Sequence, residues 1–272
     1  MSGILVAGPA LGIAVMPLVA SLLITSYGWR ISYIVLGSIV LAVLVIAALF
    51  LRRDPGEMGL LPYGKDEAEA NGLDLQAEGF SFQEAVCTRQ FWLFSLVSFC
   101  GFFLMNVVVV HVVIHATGLG IPATAAAGIL SVAAGVSIPG RIIVGGVADK
   151  IGNLKTLVIC YSIGAVAFLL LLAARELWML YLFAVIFGLG WWASSAVMAP
   201  VTAELFGLKS HGTILACTNF TAAIGGAAGP VLVGHIFDVT GSYQLAFIMC
   251  IAIAVIAIVT TMSLKLIRDR QG

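Results

Sequence analysis

Arg141 stands inside the apolar stretch SIPGRIIVGGVADK, eight positions before Asp149. On a helix rising 1.5 Å per residue that places it roughly 12 Å from the aspartate. A guanidinium presents a planar fork of donors that can hold a carboxylate through two parallel hydrogen bonds. A cation at such depth in an apolar segment is costly, and intramembrane charges usually mark a cavity or pathway. The plainer reading is an arginine whose head snorkels to the headgroup region. His111 and His115 are four apart and share one helix face. An imidazole there can carry a proton, or simply sit hydrogen-bonded between helices. No acidic or cysteine partner completes a metal site. Asn106, Asn219 and the pair Trp191-Trp192 interrupt apolar faces far from any helix end. One of the tryptophans can line a cavity while the other packs, and an asparagine in such a place most often bonds a neighbouring helix. The candidate ligand contacts are therefore Arg141, His111, Asn106, Trp191 and Asn219.

The elements that carry these residues are apolar helices. Hydrophobic residues make up 61% of the 272-residue chain and charged residues only 10%, against about 25% charged in soluble domains. Eight runs have the length that spans hydrocarbon, about 20 residues: Ile4–Thr25, Ile31–Leu51, Phe91–Ala116, Ala123–Val147, Leu157–Ala173, Leu177–Pro200, Gly212–Phe237 and Tyr243–Leu264. Runs this long without strand alternation are helices, so the fold class is an all-α polytopic membrane protein. The lipid bilayer is its first partner. With a net charge of zero, nothing points to nucleic acid. The five cysteines have neither metal nor disulfide spacing. No paired intramembrane carboxylates, HExxH, GxSxG or phosphate-cradling loop is present, so no catalytic residue, metal or cofactor is expected.

Lysine and arginine set the orientation. One set of loops and ends carries 11 of the 13 basic residues, and the opposite set only Arg30 and Arg175. Both termini are expected in the cytoplasm of a cell with a bacterial-type inner (plasma) membrane. The hydrophilic segment 52–90 holds eight of the 13 acidic residues and ends in FSFQEAVCTRQ. There Ser81 and Glu84 have the spacing of a capping box on a short interfacial helix.

Two helices precede this linker and six follow it, and an internal repeat accounts for the asymmetry. Residues 12–28 and 225–241 align without gaps, with Gly12 on Gly225, Pro17 on Pro230 and Gly28 on Gly241. If the repeat unit is six helices, residues 1–51 are the last two helices of an N-terminal half. Residues 52–90 are then the cytoplasmic linker and residues 91–272 a complete C-terminal half.

The stretch Gly145-x-x-x-Asp149-Lys150-x-Gly152-x-x-Lys155 resembles the cytoplasmic loop signature of the major facilitator superfamily. Its glycines suit a close turn between two helices, while its cations stay in water. Gly225, Gly226, Gly229 and Pro230 look like the glycine–proline motif of helix eleven in that family, and Gly8 with Gly12 like its relative in helix five. YGWR, RRDPGEMGLLPYG, HVVIHATGLG and AELFGLKSHGTILA resemble the oxalate/formate antiporter and monocarboxylate transporter-like branch. The resemblance covers the whole chain as helices five to twelve of twelve.

It implies a secondary active transporter working by alternating access on a small organic anion, a monocarboxylate first of all, coupled to protons or a counter-anion. Arg141, Gly145 and Asp149 match the branch's Arg-x-x-x-Gly-x-x-x-(Asp/Asn) pattern, which agrees with Arg141 as the anion contact. Gly145, Asp149, Lys150, Gly152, Lys155 and Glu204 become a cytoplasmic gate, with Glu204 expected to pair with a loop cation. Gly8, Gly12, Gly225, Gly229 and Pro230 are read as helix-packing residues. Departures occur at Asn153 and Leu154, which interrupt the basic run, at Gly118, which replaces an aspartate, and at Ser137, where proton-coupled carriers have an acid. No cation lies within 212–237 where oxalate carriers have a lysine. Such a chain needs a missing N-terminal segment, or a partner chain, to complete its cavity. The alternative function is a non-transporting eight-helix partner subunit or sensor.

Overall fold

The computed structural model describes residues 2–50 and 79–268. The linker expected at 52–90 therefore falls outside the described residues except for 79–90. The chain divides into two compact units, Met1–Ala14 with Glu78–Gly272, and Val15–Ala77. Helix α1 (Ser2–Phe50) consists of two helical pieces meeting at Gly28, whose backbone has φ 74 and ψ 162. A side chain is rarely tolerated there, so the glycine permits the break. The two pieces correspond to the runs Ile4–Thr25 and Ile31–Leu51. After the break Ser32 Oγ donates to Gly28 O at 2.8 Å, and the Arg30 guanidinium lies 4.5 Å over the Trp29 ring.

The larger unit holds α2 (Phe82–Val86), α3 (Arg89–Gly118), α4 (Ala123–Ile151), α5 (Asn153–Ala173), α6 (Leu177–Phe187), a π-helical turn (Gly188–Trp192), α7 (Ser195–Phe206), α8 (His211–Thr240) and α9 (Gln244–Arg268). Among the described residues seven helices are long and apolar enough to cross a membrane. One is Ser26–Leu49 in α1; the other six are α3, α4, α5, Leu177–Phe206, α8 and α9. The chain is thus a multi-pass helical membrane protein.

Helix α2 begins with the capping box anticipated in the sequence. Ser81 N donates to Glu84 Oε2 at 2.7 Å, and Glu84 N donates to Ser81 Oγ. The Ser81 backbone N–H holds the Glu84 carboxyl below the ordinary carboxylate range, and the Ser81 side chain adds to this. Just before it, Phe80 N donates to Phe206 O at 2.9 Å, which ties the end of the linker to the end of α7. Trp92 Nε1 donates to Val86 O, and so locks α2 against the first turn of α3.

Helix α3 is the centre of this unit, packing most extensively on α8 and then on α9. The sequence reason is a pair of glycines one turn apart. A Cβ on Gly225 would strike the Phe99 carbonyl oxygen, and one on Gly229 would lie 2.7 Å from Phe103 O. Only hydrogen at these positions lets the backbones touch, which replaces solvophobic force as the source of helix association in lipid. Gly12, its repeat partner, has nothing within 4 Å of such a Cβ. Gly8 lies in helical backbone, but its surroundings are outside the described residues.

Because the obstacle at Gly225 is main chain rather than a mobile side chain, Gly225→Ala is expected to lower unfolding stability by about 1–3 kcal/mol, the range of core overpacking. Gly146→Ala, where a Cβ meets nothing within 4 Å, should be neutral or slightly stabilising. Chemical unfolding in detergent compares the two.

Candidate functional site

Arg141 lies on α4, whose buried stripe runs Ala126, Ile129, Ala133, Ala134, Ser137, Gly140, Val144 and Ala148. It is half-buried, one turn from Ser137 and from Val144, while Ile142 and Ile143 on the opposite side are exposed to 69% and 59%. That exposure suits lipid and leaves the arginine on the protein side of the helix. Pro139 sits two residues earlier inside the helix and withholds one backbone donor at this depth. The Ser137 hydroxyl is turned back onto Ala134 O at 2.7 Å, so it presents no proton to the arginine side.

The other four expected contacts are distributed differently. His111 is 6% exposed and bridges two helices. Its Nε2 is 2.9 Å from Pro230 O, and its Nδ1 is 3.1 Å from Tyr243 Oη. A carbonyl only accepts, so Nε2 carries the hydrogen and Nδ1 accepts from the tyrosine. Both ring nitrogens are thereby matched, as those of an interhelical bolt would be. Asn106 Nδ2 donates to Phe102 O at 3.0 Å, in its own helix, and lies against Gly226.

Trp191 is 3% exposed, donates from Nε1 to Gly101 O at 2.9 Å and stacks on Tyr161 with centroids 4.4 Å apart. The π turn aims it there. Gly188 presses against Ala133 O and Gly190 against Cys160 O, so the widened turn fits between α4 and α5 and swings the indole to α3. Asn219 is exposed on α8.

At the other end of the bundle the residues expected to form a gate separate. Glu204, at the end of α7, forms an ion pair with Arg268 of α9 and accepts from Asn153 Nδ2 at 2.8 Å. This corrects the expectation of a loop cation: Lys150 and Lys155 are exposed, and Arg268 with Asn153 takes the place expected for them. Asn153, which breaks the family's basic run, starts α5 and turns its amide to the glutamate. Asp149 is exposed. Gly152 has φ 91 and ψ 152, so it is needed for the turn between α4 and α5. Gly145 meets nothing within 4 Å, so among the described residues it does not mediate close packing. No group of three His, Cys, Asp or Glu among the described residues could hold a metal ion.

The sequence profile of the Major Facilitator Superfamily matches residues 1–230 and 145–272. The chain belongs to the Major Facilitator Superfamily. It is 27% identical over 270 residues to monocarboxylate transporter 12 of Mus musculus, covering 91% of this chain and 56% of that protein. It is 26% identical over 255 residues to monocarboxylate transporter 2 of Homo sapiens, covering 86% and 52%. It is 27% identical over 246 residues to the oxalate:formate antiporter of Oxalobacter formigenes, covering 85% and 54%. The chain thus spans about half the length of the curated relatives it matches.

The Glu204–Arg268–Asn153 contact joins the ends of α5, α7 and α9. Arg268 is 34% exposed and Glu204 21%, so water screens their attraction. A double-mutant cycle of Glu204→Gln and Arg268→Met is expected to give a coupling of about 0.5–1 kcal/mol. Asn153→Ala should reduce that coupling, because the amide helps fix the carboxylate.

Proposed function

We propose that this chain is the larger part of a secondary active transporter that carries a small organic anion, a monocarboxylate, by alternating access. The observation that carries the reading is Arg141. A guanidinium on the protein side of α4, well inside a membrane-spanning helix, is a costly group that a carboxylate cargo would stabilise. Relatives named for monocarboxylates and for oxalate and formate support the cargo class. Asn219, exposed on α8, is the second polar group we assign to the translocation path. His111 and Trp191 bond across to neighbouring helices and hold them in register around it, while Asn106 bonds within its own helix. Coupling is to protons or to a counter-anion. Residues 91–272 act as the C-terminal half, residues 1–51 as the last two helices of the N-terminal half, and residues 52–90 as the linker between them. Lysine and arginine distribution supports both ends facing the cytoplasm in an inner (plasma) membrane.

The test is uptake of labelled formate into proteoliposomes containing the full-length native protein. Arg141→Ala is expected to abolish uptake. Arg141→Lys should retain a small fraction of it, because an ammonium keeps the charge without the bidentate fork. Wild-type rates in Arg141→Ala would overturn the reading.

A further inference from the structure

At the end of the bundle opposite the Glu204–Arg268 pair lies a cavity of about 320 Å³. It is formed by the last turn of α3, the α5–α6 connection, the end of α8 and the start of α9. The span of α5 separates the two ends by roughly 31 Å, 21 residues at 1.5 Å each. Arg175 is the charged side chain on its wall, and neither aspartate nor glutamate lines it. The recorded bond of Arg175 is from Nη1 to the carbonyl of its own neighbour Ala174, at 3.1 Å. Among the described residues no carboxylate pairs with it.

Around the arginine the cavity offers further donors and a greasy wall. Ser242 and Gln244 line it beside Leu119, Leu172 and Phe247. Tyr243 is spoken for, since its hydroxyl bonds His111 and its ring stacks on Phe237 with centroids 4.4 Å apart. A second observation comes from His115. It lines the same cavity and is 9% exposed, and its Nε2 is buried with no hydrogen-bond partner. Its ring is clasped edge-on by Tyr243 and Phe247, at 5.4 and 5.0 Å. A buried nitrogen left unmatched is a rarity that calls for an explanation.

We infer that this cavity binds a short-chain carboxylate, at a site separate from Arg141. The Arg175 guanidinium would grip the carboxylate oxygens, the Gln244 amide would donate to one of them, and the hydrocarbon tail would lie on Leu172 and Phe247. Arg175 supplies a fork that matches two oxygens of a planar anion, which a spherical halide cannot fill. The volume accommodates an anion of a few heavy atoms, at the small end of ligand pockets. The site stands independently of whether the protein transports. If it does transport, the cavity concentrates carboxylate at one mouth of the pathway.

The experiment is a titration of the full-length protein, in lipid nanodiscs and labelled with carbon-13 histidine, with sodium acetate. His115 is identified by the resonance lost in His115→Gln. Acetate is expected to move the His115 ring resonance saturably, and equimolar chloride to leave it in place. Arg175→Gln should weaken the apparent affinity by at least about tenfold, the factor that one charge-assisted contact carries. Gln244→Ala, a milder change, should weaken it severalfold and guards against misfolding of the arginine variant. Arg141→Ala should leave the titration intact even if uptake is lost, which separates this site from the proposed transport site. A non-saturable shift, an equal response to chloride, or an unchanged midpoint in both Arg175→Gln and Gln244→Ala would overturn the assignment.

Discussion

In hydrocarbon a polar group has no water to fall back on, and an unmatched amide or hydroxyl costs several kcal/mol. Many polar side chains within the described spans answer to that constraint. Thr156 donates to Gly152 O, Thr202 to Met198 O and Thr261 to Ala257 O, each one turn back along its own helix. Trp191 reaches across to the Gly101 carbonyl and His111 to that of Pro230. These longer reaches bind α3 to the π turn and to α8. The constraint thus sorts polar residues into those that close the local ladder and those that fasten one helix to another.

The fastening works because the helices are close enough for short side chains to span the gap. Gly225 and Gly229 bring α8 against the carbonyls of α3, and Gly188 and Gly190 admit the π turn between α4 and α5. Trp191, carried on the π turn, donates to Gly101 O across the gap. The Glu204–Arg268–Asn153 contact at the ends of α5, α7 and α9 is of a different kind, partly wet and so easily parted.

Much of the fold was legible in the residue order because membrane helices announce themselves by length and apolarity. The C-terminal spans, the capping box at Ser81 and Glu84, and the turn at Gly152 all rest on local pattern. Packing at Gly225 and Gly229 followed from the glycine–proline motif, yet Gly12, which the repeat matches to Gly225, meets nothing nearby among the described residues. A repeat transmits sequence more faithfully than it transmits neighbours. The partner of Glu204 was misjudged for a related reason. Arg268 is 64 positions away, and no local spacing reveals such a pair, whereas Lys150 and Lys155 were near at hand in sequence. The cavity at Arg175 was missed because that arginine served only to orient the chain. Its meaning appears once α3, the α5–α6 connection and α9 converge.

His111, Asn106 and Trp191 show how one sequence signal can carry two meanings. A polar residue deep in an apolar helix marks either a ligand contact or a fastening, and only the partner distinguishes them. Their partners are protein carbonyls and a tyrosine hydroxyl; the carboxylate reading depends on Arg141 because a guanidinium offers a fork that matches a carboxylate. Equilibrium binding of labelled formate tests that directly, with purified full-length protein in an Arg175→Gln background so that the second cavity does not contribute. Replacing Arg141 by methionine, which keeps bulk and loses charge, is predicted to weaken binding at least about tenfold. Equal formate affinity with and without the guanidinium would contradict the account.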